Sequence, residues 1–160
     1  MKISFIGLGV MGFPMAGHLI SKNNNLEIKV YNRSAEKSER WISKFDGLLC
    51  TTPADAAKDC DIVFMCVGND SDVDSVVRGK NGIMSSIPEN SIIVDHTTAS
   101  LNISIKLFKK FRGKQAFFFD APVSGGEIGA QTGNLAIMVG GEKNKFEILK
   151  KSLDCYYKSM

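Results

Sequence analysis

The stretch Met1-Lys-Ile-Ser-Phe-Ile-Gly-Leu-Gly-Val-Met-Gly12 decides how this chain folds, because an apolar run passes directly into glycines spaced G-x-G-x-x-G. Ile3, Phe5 and Ile6 read as a buried strand, and Met11, Met15, His18 and Leu19 follow at helical spacing. Each glycine has a separate task. Gly7 lets the chain turn sharply, Gly9 removes a side chain where a pyrophosphate approaches the backbone, and Gly12 lets helix and strand pack closely. The unpaired N–H groups that open the helix, aided by its dipole, form an anion site. The spacing alone would also suit a tight turn with no ligand; the strand-to-helix setting favours a dinucleotide phosphate.

The second strand, Ile28-Lys-Val-Tyr31, ends in Asn32-Arg33-Ser34, about twenty residues beyond the glycine turn, where the fingerprint expects its ribose-binding residue. An acid there would accept hydrogen bonds from the adenosine ribose and repel a 2′-phosphate. Arg33 instead offers a guanidinium fork and Ser34 a hydroxyl, so NADP is favoured, with NAD the second candidate. Arg33 as an ordinary exposed cation is the competing reading. Farther on, Cys66-Val67-Gly68-Asn69-Asp70 closes the fourth strand; Val67 and Gly68 either flank the middle of the cofactor or belong to an Asx turn that caps the next helix.

Outward from these motifs the chain alternates. Strands are predicted near 2–6, 27–31, 48–51, 61–66, 91–95, 115–120 and 134–139, and helices near 10–22, 34–45, 53–58, 70–78, 98–112 and 142–155. Ser34 is a candidate N-cap with Glu36 in the first turn, although Lys37 denies it a full capping box. Thr52-Pro53 supplies an N-cap and a proline at the first helical position, and Asn23 to Asn25 are expected to close the first helix. Such alternation specifies an α/β fold: one doubly wound, mostly parallel, Rossmann-type sheet over residues 1–160, with a ligand at the carboxyl ends of its strands.

The 160 residues are 44% hydrophobic and 23% charged, enough to bury a core and against disorder. A net charge of +3 is mild. The cluster Lys109, Lys110, Arg112 and Lys114 reads as the cationic last turn of a helix, not as a nucleic-acid patch. Cys50, Cys60, Cys66 and Cys155 have neither CxxC nor metal spacing, so reduced thiols, no metal and a cytoplasmic location are expected. The N-terminus imitates a secretory signal, but its patterned glycines and Pro14 favour strand-turn-helix, and no stretch is long enough to span a membrane.

In the second half, Asp95-His-Thr-Thr98 ends one strand and Asp120-Ala-Pro-Val-Ser124-Gly-Gly126 ends the next, both on the edge where nicotinamide and substrate should lie. Thr98 supplies a hydroxyl, and Ser124 with the amides of Gly125 and Gly126 can form a donor nest for a small carboxylate substrate. An ordinary loop, and a buried, satisfied His96, remain equal alternatives from the residues alone.

Taken in order, Gly-Leu-Gly-Val-Met-Gly-Phe-Pro-Met-Ala16, Val30-Tyr-Asn-Arg33, Val94-Asp-His-Thr-Thr98, Asp120-Ala-Pro-Val-Ser-Gly-Gly-Glu-Ile-Gly-Ala130 and Gly133-Asn-Leu-Ala-Ile-Met-Val-Gly-Gly141 resemble the β-hydroxyacid dehydrogenase family. That family holds 3-hydroxyisobutyrate dehydrogenase, tartronate semialdehyde reductase and the glyoxylate/succinic semialdehyde reductases. The resemblance covers essentially the whole chain and implies an oxidoreductase. Gly7, Leu8, Gly9, Val10, Met11 and Gly12 would hold the pyrophosphate, Asn32, Arg33 and Ser34 the adenosine end, and Val67 and Gly68 the middle of the cofactor. Thr98 would sit by the nicotinamide ribose and substrate, and Ser124, Gly125 and Gly126 would bind the substrate carboxylate.

The family's catalytic lysine lies on a long helix leading into an all-α second domain, and none of Lys143, Lys145, Lys150, Lys151 or Lys158 has its surroundings. No catalytic residue is therefore expected in this chain. The lysine is expected beyond Met160, in the helical domain that the chain lacks, and the piece alone is expected to be inactive and monomeric where the full-length parent is a homo-oligomer. A nucleotide-sensing or scaffolding module without catalysis is the alternative function.

Overall fold

The computed structural model describes residues 1–22 and 25–160. Six strands form one sheet: β1 (Lys2–Ile6), β2 (Glu27–Tyr31), β3 (Leu48–Leu49), β4 (Ile62–Met65), β5 (Ile92–Asp95) and β6 (Phe117–Asp120). All pair in parallel, in the order β3-β2-β1-β4-β5-β6, so the order reverses between β1 and β4. Every residue of β4 and of β5 is buried, as strands covered on both faces require.

Period-two alternation divides the apolar residues between two layers. Ile3, Phe5, Val30, Phe64, Val94 and Phe119 face one side, where they meet Met15 and Leu19 of α1 (Gly12–Ser21), Trp41 of α2 (Ala35–Ile42) and Leu149 of α7 (Lys143–Leu153). Ile6, Val63, Met65, Ile93 and Phe118 face the other. There they meet Ala56 of α3 (Pro53–Ala57), Val73 and Val77 of α4 (Asp70–Arg78), and Leu107 and Phe111 of α5 (Leu101–Arg112). The doubly wound α/β expectation is met. Among the described residues no helix is long and apolar enough to cross a membrane.

The helix ends refine the sequence reading. Thr52 caps α3 as expected, its hydroxyl accepting the Asp55 N–H at 3.0 Å. Ser34 occupies the cap position of α2 in extended conformation, yet its hydroxyl makes no capping bond. The fifth helix begins at Leu101 instead of 98 because Asp70 accepts the Ser100 N–H at 2.8 Å and also its hydroxyl proton, which holds Ser100 as the cap. The first helix ends at Ser21; the Asn23–Asn24 portion of its expected closure lies outside the described residues.

The strand expected near 134–139 does not join the main sheet. Pro122 has no N–H to continue a ladder beyond β6, and its carbonyl instead accepts the Met138 N–H at 3.1 Å. The result is a second, three-stranded sheet of β7 (Val123–Ser124), β8 (Leu135–Ile137) and β9 (Tyr157–Ser159), with β7 antiparallel and β9 parallel to β8. Between β7 and β8 lies α6 (Gly126–Thr132), a helix absent from the elements predicted above.

His96 fastens the two sheets. Its Nδ1 lies 2.7 Å from the Ala121 carbonyl and its Nε2 2.8 Å from the Tyr156 hydroxyl, while the ring stacks on Phe64. A carbonyl can only accept, so Nδ1 carries the proton and Nε2 accepts from Tyr156. Burial pushes the pKa of His96 from 6.5 down to about 4, which keeps the ring neutral. The preceding Asp95 is shifted the other way. Burial, reinforced by Asp120 at the matching end of β6, raises its carboxyl from 3.8 to about 6, and its Oδ2 has no hydrogen-bond partner.

These shifts oppose each other. Below pH 6.5 the unfolded chain protonates His96 before the folded one, which lowers stability down to about pH 4. Between about pH 6 and 3.8 the folded chain protonates Asp95 first, which raises stability on acidification. Asp95→Asn removes the second effect alone. Its guanidinium denaturation midpoint should therefore fall more steeply than that of the wild type as pH drops from 6.5 to 4; an equal or shallower slope contradicts the assignment.

Candidate functional site

The reversal of strand order places β1 and β4 side by side, and the turn after β1 opens onto the crevice between them. Gly7 has φ +94°, and a Cβ there would lie 2.2 Å from the Cys66 carbonyl at the end of β4. A Cβ on Gly12 would lie 1.9 Å from the Gly7 carbonyl and 2.9 Å from the Phe5 ring. Both positions are closed to any other residue. Gly9 is different: a Cβ there meets nothing within 4 Å, so its bareness leaves open space beside the backbone.

Helical bonding begins in this turn, with the Phe13 N–H donating to the Gly9 carbonyl at 3.0 Å. Among the described residues no acceptor takes the amides of Val10, Met11 and Gly12. The arrangement is a set of free donors at the positive end of a ten-residue helix, able to hold a phosphate group. Leu8 contributes otherwise. Its side chain is buried, and its amide donates to Asn32 Oδ1 at 2.9 Å.

Asn32 is spent on the backbone at both ends, since its Nδ2 also donates to the Ser34 carbonyl at 3.0 Å. It holds the end of β2 against the glycine turn. Beyond it, a cavity of about 430 Å³ is lined by Gly7, Gly9, Asn32, Arg33, Ser34, Val67 and Gly68 among the expected residues. Tyr31, Lys37, Asp72, Ser75 and Val76 also line it and were not anticipated. The last three share one face of α4 at spacings of three and four, a signal present in the sequence once 70–78 is read as a helix.

Two opposite charges at the mouth are paired. Arg33 Nη1 lies 2.8 Å from Asp72 Oδ1, with the arginine side chain 86% exposed and the aspartate 25%. At the end of β4, Asn69 caps α4 by accepting the Asp72 N–H at 3.1 Å, as the Asx-turn reading expects, and Val67 and Gly68 line the cavity. The Val67 amide is itself engaged, donating to the Thr97 hydroxyl at 3.0 Å. Cys66 carries a thiol pushed up to about 12 by burial, which leaves it unreactive.

Thr98, Ser124, Gly125 and Gly126 are exposed and lie outside this cavity's lining, on the segments that follow β5 and β6. Gly125 and Gly126 have φ of +133° and +61°, conformations suited to glycine, and they open α6. Two of the lysines excluded as catalysts lie elsewhere. Lys145 sits over the Phe117 ring at the start of β6, and Lys151 lies in a cavity with Met1 and Ile3 at the start of β1, both at the amino edge of the sheet.

Comparison with known proteins agrees with this geometry. The family model described as the NAD binding domain of 6-phosphogluconate dehydrogenase matches residues 2–159. An uncharacterized oxidoreductase of Shewanella frigidimarina is 44% identical over 155 residues, 97% of this chain and 53% of that protein. The mitochondrial 3-hydroxyisobutyrate dehydrogenase of Rattus norvegicus is 34% identical over 153 residues, 96% of this chain and 45% of that one. In fold, Psf3, solved in complex with NADP+ and 2-OPP, superposes with a TM-score of 0.89 at 23% identity, covering 99% of this chain and 56% of its own. The chain spans about half the length of the curated relatives it matches. From the matched family model and these relatives, the chain belongs to the β-hydroxyacid dehydrogenase family, as the NAD(P)-binding domain that family shares with 6-phosphogluconate dehydrogenase.

Proposed function

We propose that this domain binds NADP in preference to NAD and serves a longer oxidoreductase acting on a small β-hydroxyacid or semialdehyde. The observation that carries the reading is the turn after β1, with free amides at Val10, Met11 and Gly12 and open space at Gly9. That cradle fits a dinucleotide pyrophosphate. Arg33 and Ser34, with Lys37 beside them in the cavity, would hold the adenosine end and its 2′-phosphate, and Gly68 and Val67 would flank the middle. When bound, the nicotinamide supplies a hydride acceptor or donor.

Thr98 and the Ser124-Gly125-Gly126 segment, on neighbouring strand ends, would orient the substrate hydroxyl or carbonyl and its carboxylate by hydrogen bonds from hydroxyls and amides. Lys145 and Lys151 lie at the opposite, amino edge of the sheet, and the domain alone is expected to bind and not to turn over. Leu101, Ile105, Ile128 and Met138 are exposed, in keeping with an apolar face covered by the remainder of a longer chain. A homo-oligomeric parent and a monomeric isolated domain belong to the same reading. The four free cysteines suit a reducing compartment such as the cytosol.

Three measurements test this function. Gly9→Ala should change unfolding free energy by less than about 0.5 kcal/mol yet weaken nucleotide binding at least about tenfold, because the new methyl enters the ligand's space. Gly12→Ala should cost about 1–3 kcal/mol as well, from the clash with the Gly7 carbonyl. Unaltered affinity in Gly9→Ala removes the pyrophosphate assignment.

Arg33→Ala should weaken NADP about tenfold in calorimetric titration and leave NAD within about twofold. Equal losses for the two nucleotides contradict the role given to Arg33. In steady-state assays with glyoxylate, succinic semialdehyde and 3-hydroxyisobutyrate, residues 1–160 should stay at background while a natural chain extended past residue 160 turns over. Robust activity of residues 1–160 would show that the proton donor lies within them.

A further inference from the structure

Among the described residues Asp72 is the one acid that lines the cavity, and no sequence fingerprint assigns it a role. Its position is built. The Asp72 N–H is fixed by Asn69 Oδ1 at 3.1 Å, and Oδ1 meets Arg33 Nη1 at 2.8 Å. Its other oxygen, Oδ2, lies where a Cβ on Gly68 would come within 2.5 Å, so the glycine clears the space that the carboxylate occupies. Asp72 thus reaches from the first turn of α4 across to the loop after β2, and both it and Arg33 line the same cavity.

We propose that Asp72 is a specificity-determining residue that moderates the preference for NADP over NAD. The inference rests on the nucleotide-binding reading above. A carboxylate held at Arg33 competes with a 2′-phosphate for the guanidinium and repels that phosphate's charge. The same carboxylate can accept a hydrogen bond from the ribose hydroxyl of an unphosphorylated adenosine. Asp72 therefore supplies from α4 the acid that the end of β2 lacks, and Arg33 and Asp72 together admit either nucleotide.

The test is calorimetric titration of NADP and NAD into wild type, Asp72→Asn, Arg33→Ala and the double variant, with thermal melts to verify folding. Asp70 remains in the first turn of α4, so helix stability should survive, and Asp72→Ser is the second variant if it does not. Asp72→Asn should raise the ratio of NADP to NAD affinity about five- to tenfold, strengthening NADP and weakening NAD. On the Arg33→Ala background the same change should raise the ratio less than about threefold, since no guanidinium is freed. An unchanged or lower ratio in Asp72→Asn, with NADP still lost in Arg33→Ala, overturns the role of Asp72 and leaves the nucleotide reading intact. No binding of either nucleotide by the wild type overturns both.

Discussion

Three backbone segments meet at the head of β1 with no room for a side chain between them, and the rest of the site depends on that meeting. Gly7 rests against the Cys66 carbonyl of β4, and Gly12 against the Gly7 carbonyl. A crowded side chain can rotate away more readily than a backbone carbonyl in a residue whose own N–H is bonded, as Gly7 is to the Tyr31 carbonyl and Cys66 to the Ile6 carbonyl, so these contacts fix the start of α1 relative to the switch point. Two consequences follow from one constraint. Among the described residues the amides that open α1 take no acceptor, and Asn32 can reach the Leu8 amide to hold the loop after β2 in place. The turn proposed to hold the phosphates and the strand end proposed to hold the adenosine are thereby set at a fixed separation by backbone geometry.

The segments that follow β5 and β6 are organised by burial and hydrogen bonding around His96. Its ring is stacked on Phe64 and satisfied at both nitrogens, so it ties the end of β5 to Ala121 after β6 and to Tyr156 before β9. Ser124 and the glycines that open α6 branch from this bracket, which gives an exposed loop a rigid base. The neutral ring and the raised carboxyl of Asp95 both follow from the cost of burying charge.

Much of this was legible in the chain because the signals are local. Alternation in Ile3-Ser-Phe-Ile6, the glycine spacing and the Thr52-Pro53 cap each depend on a few neighbouring residues, and each appears where the sequence puts it. What escaped depends on pairing across distance. The strands of the second sheet have only two or three residues each, too few to carry a period, and Pro122 turns the chain toward them. Asn32 lines the cavity as a residue at the end of β2 should, and its bonds to Leu8 and Ser34, which no local pattern announces, also tie that strand end to the glycine turn. The Arg33–Asp72 pair joins residues 39 apart and arises only once α4 packs beside β2's loop. An acid was sought at the end of β2, and the fold delivers one from another element.

Charge and shape in the site thus have separate origins. Shape comes from bare glycines between strand ends, and charge from Arg33, Lys37, Asp72 and Lys80 carried in by different segments. The central claim is that a nicotinamide dinucleotide is gripped through backbone amides at the start of α1. The most direct measurement is a titration of isotope-labelled protein with NADP, following amide resonances by NMR. The account predicts the largest shifts at Gly9, Val10, Met11 and Gly12, with a second group at Arg33 and Ser34. Saturable binding that leaves the Gly9–Gly12 amides unmoved, or no binding at all by the folded domain, would contradict it.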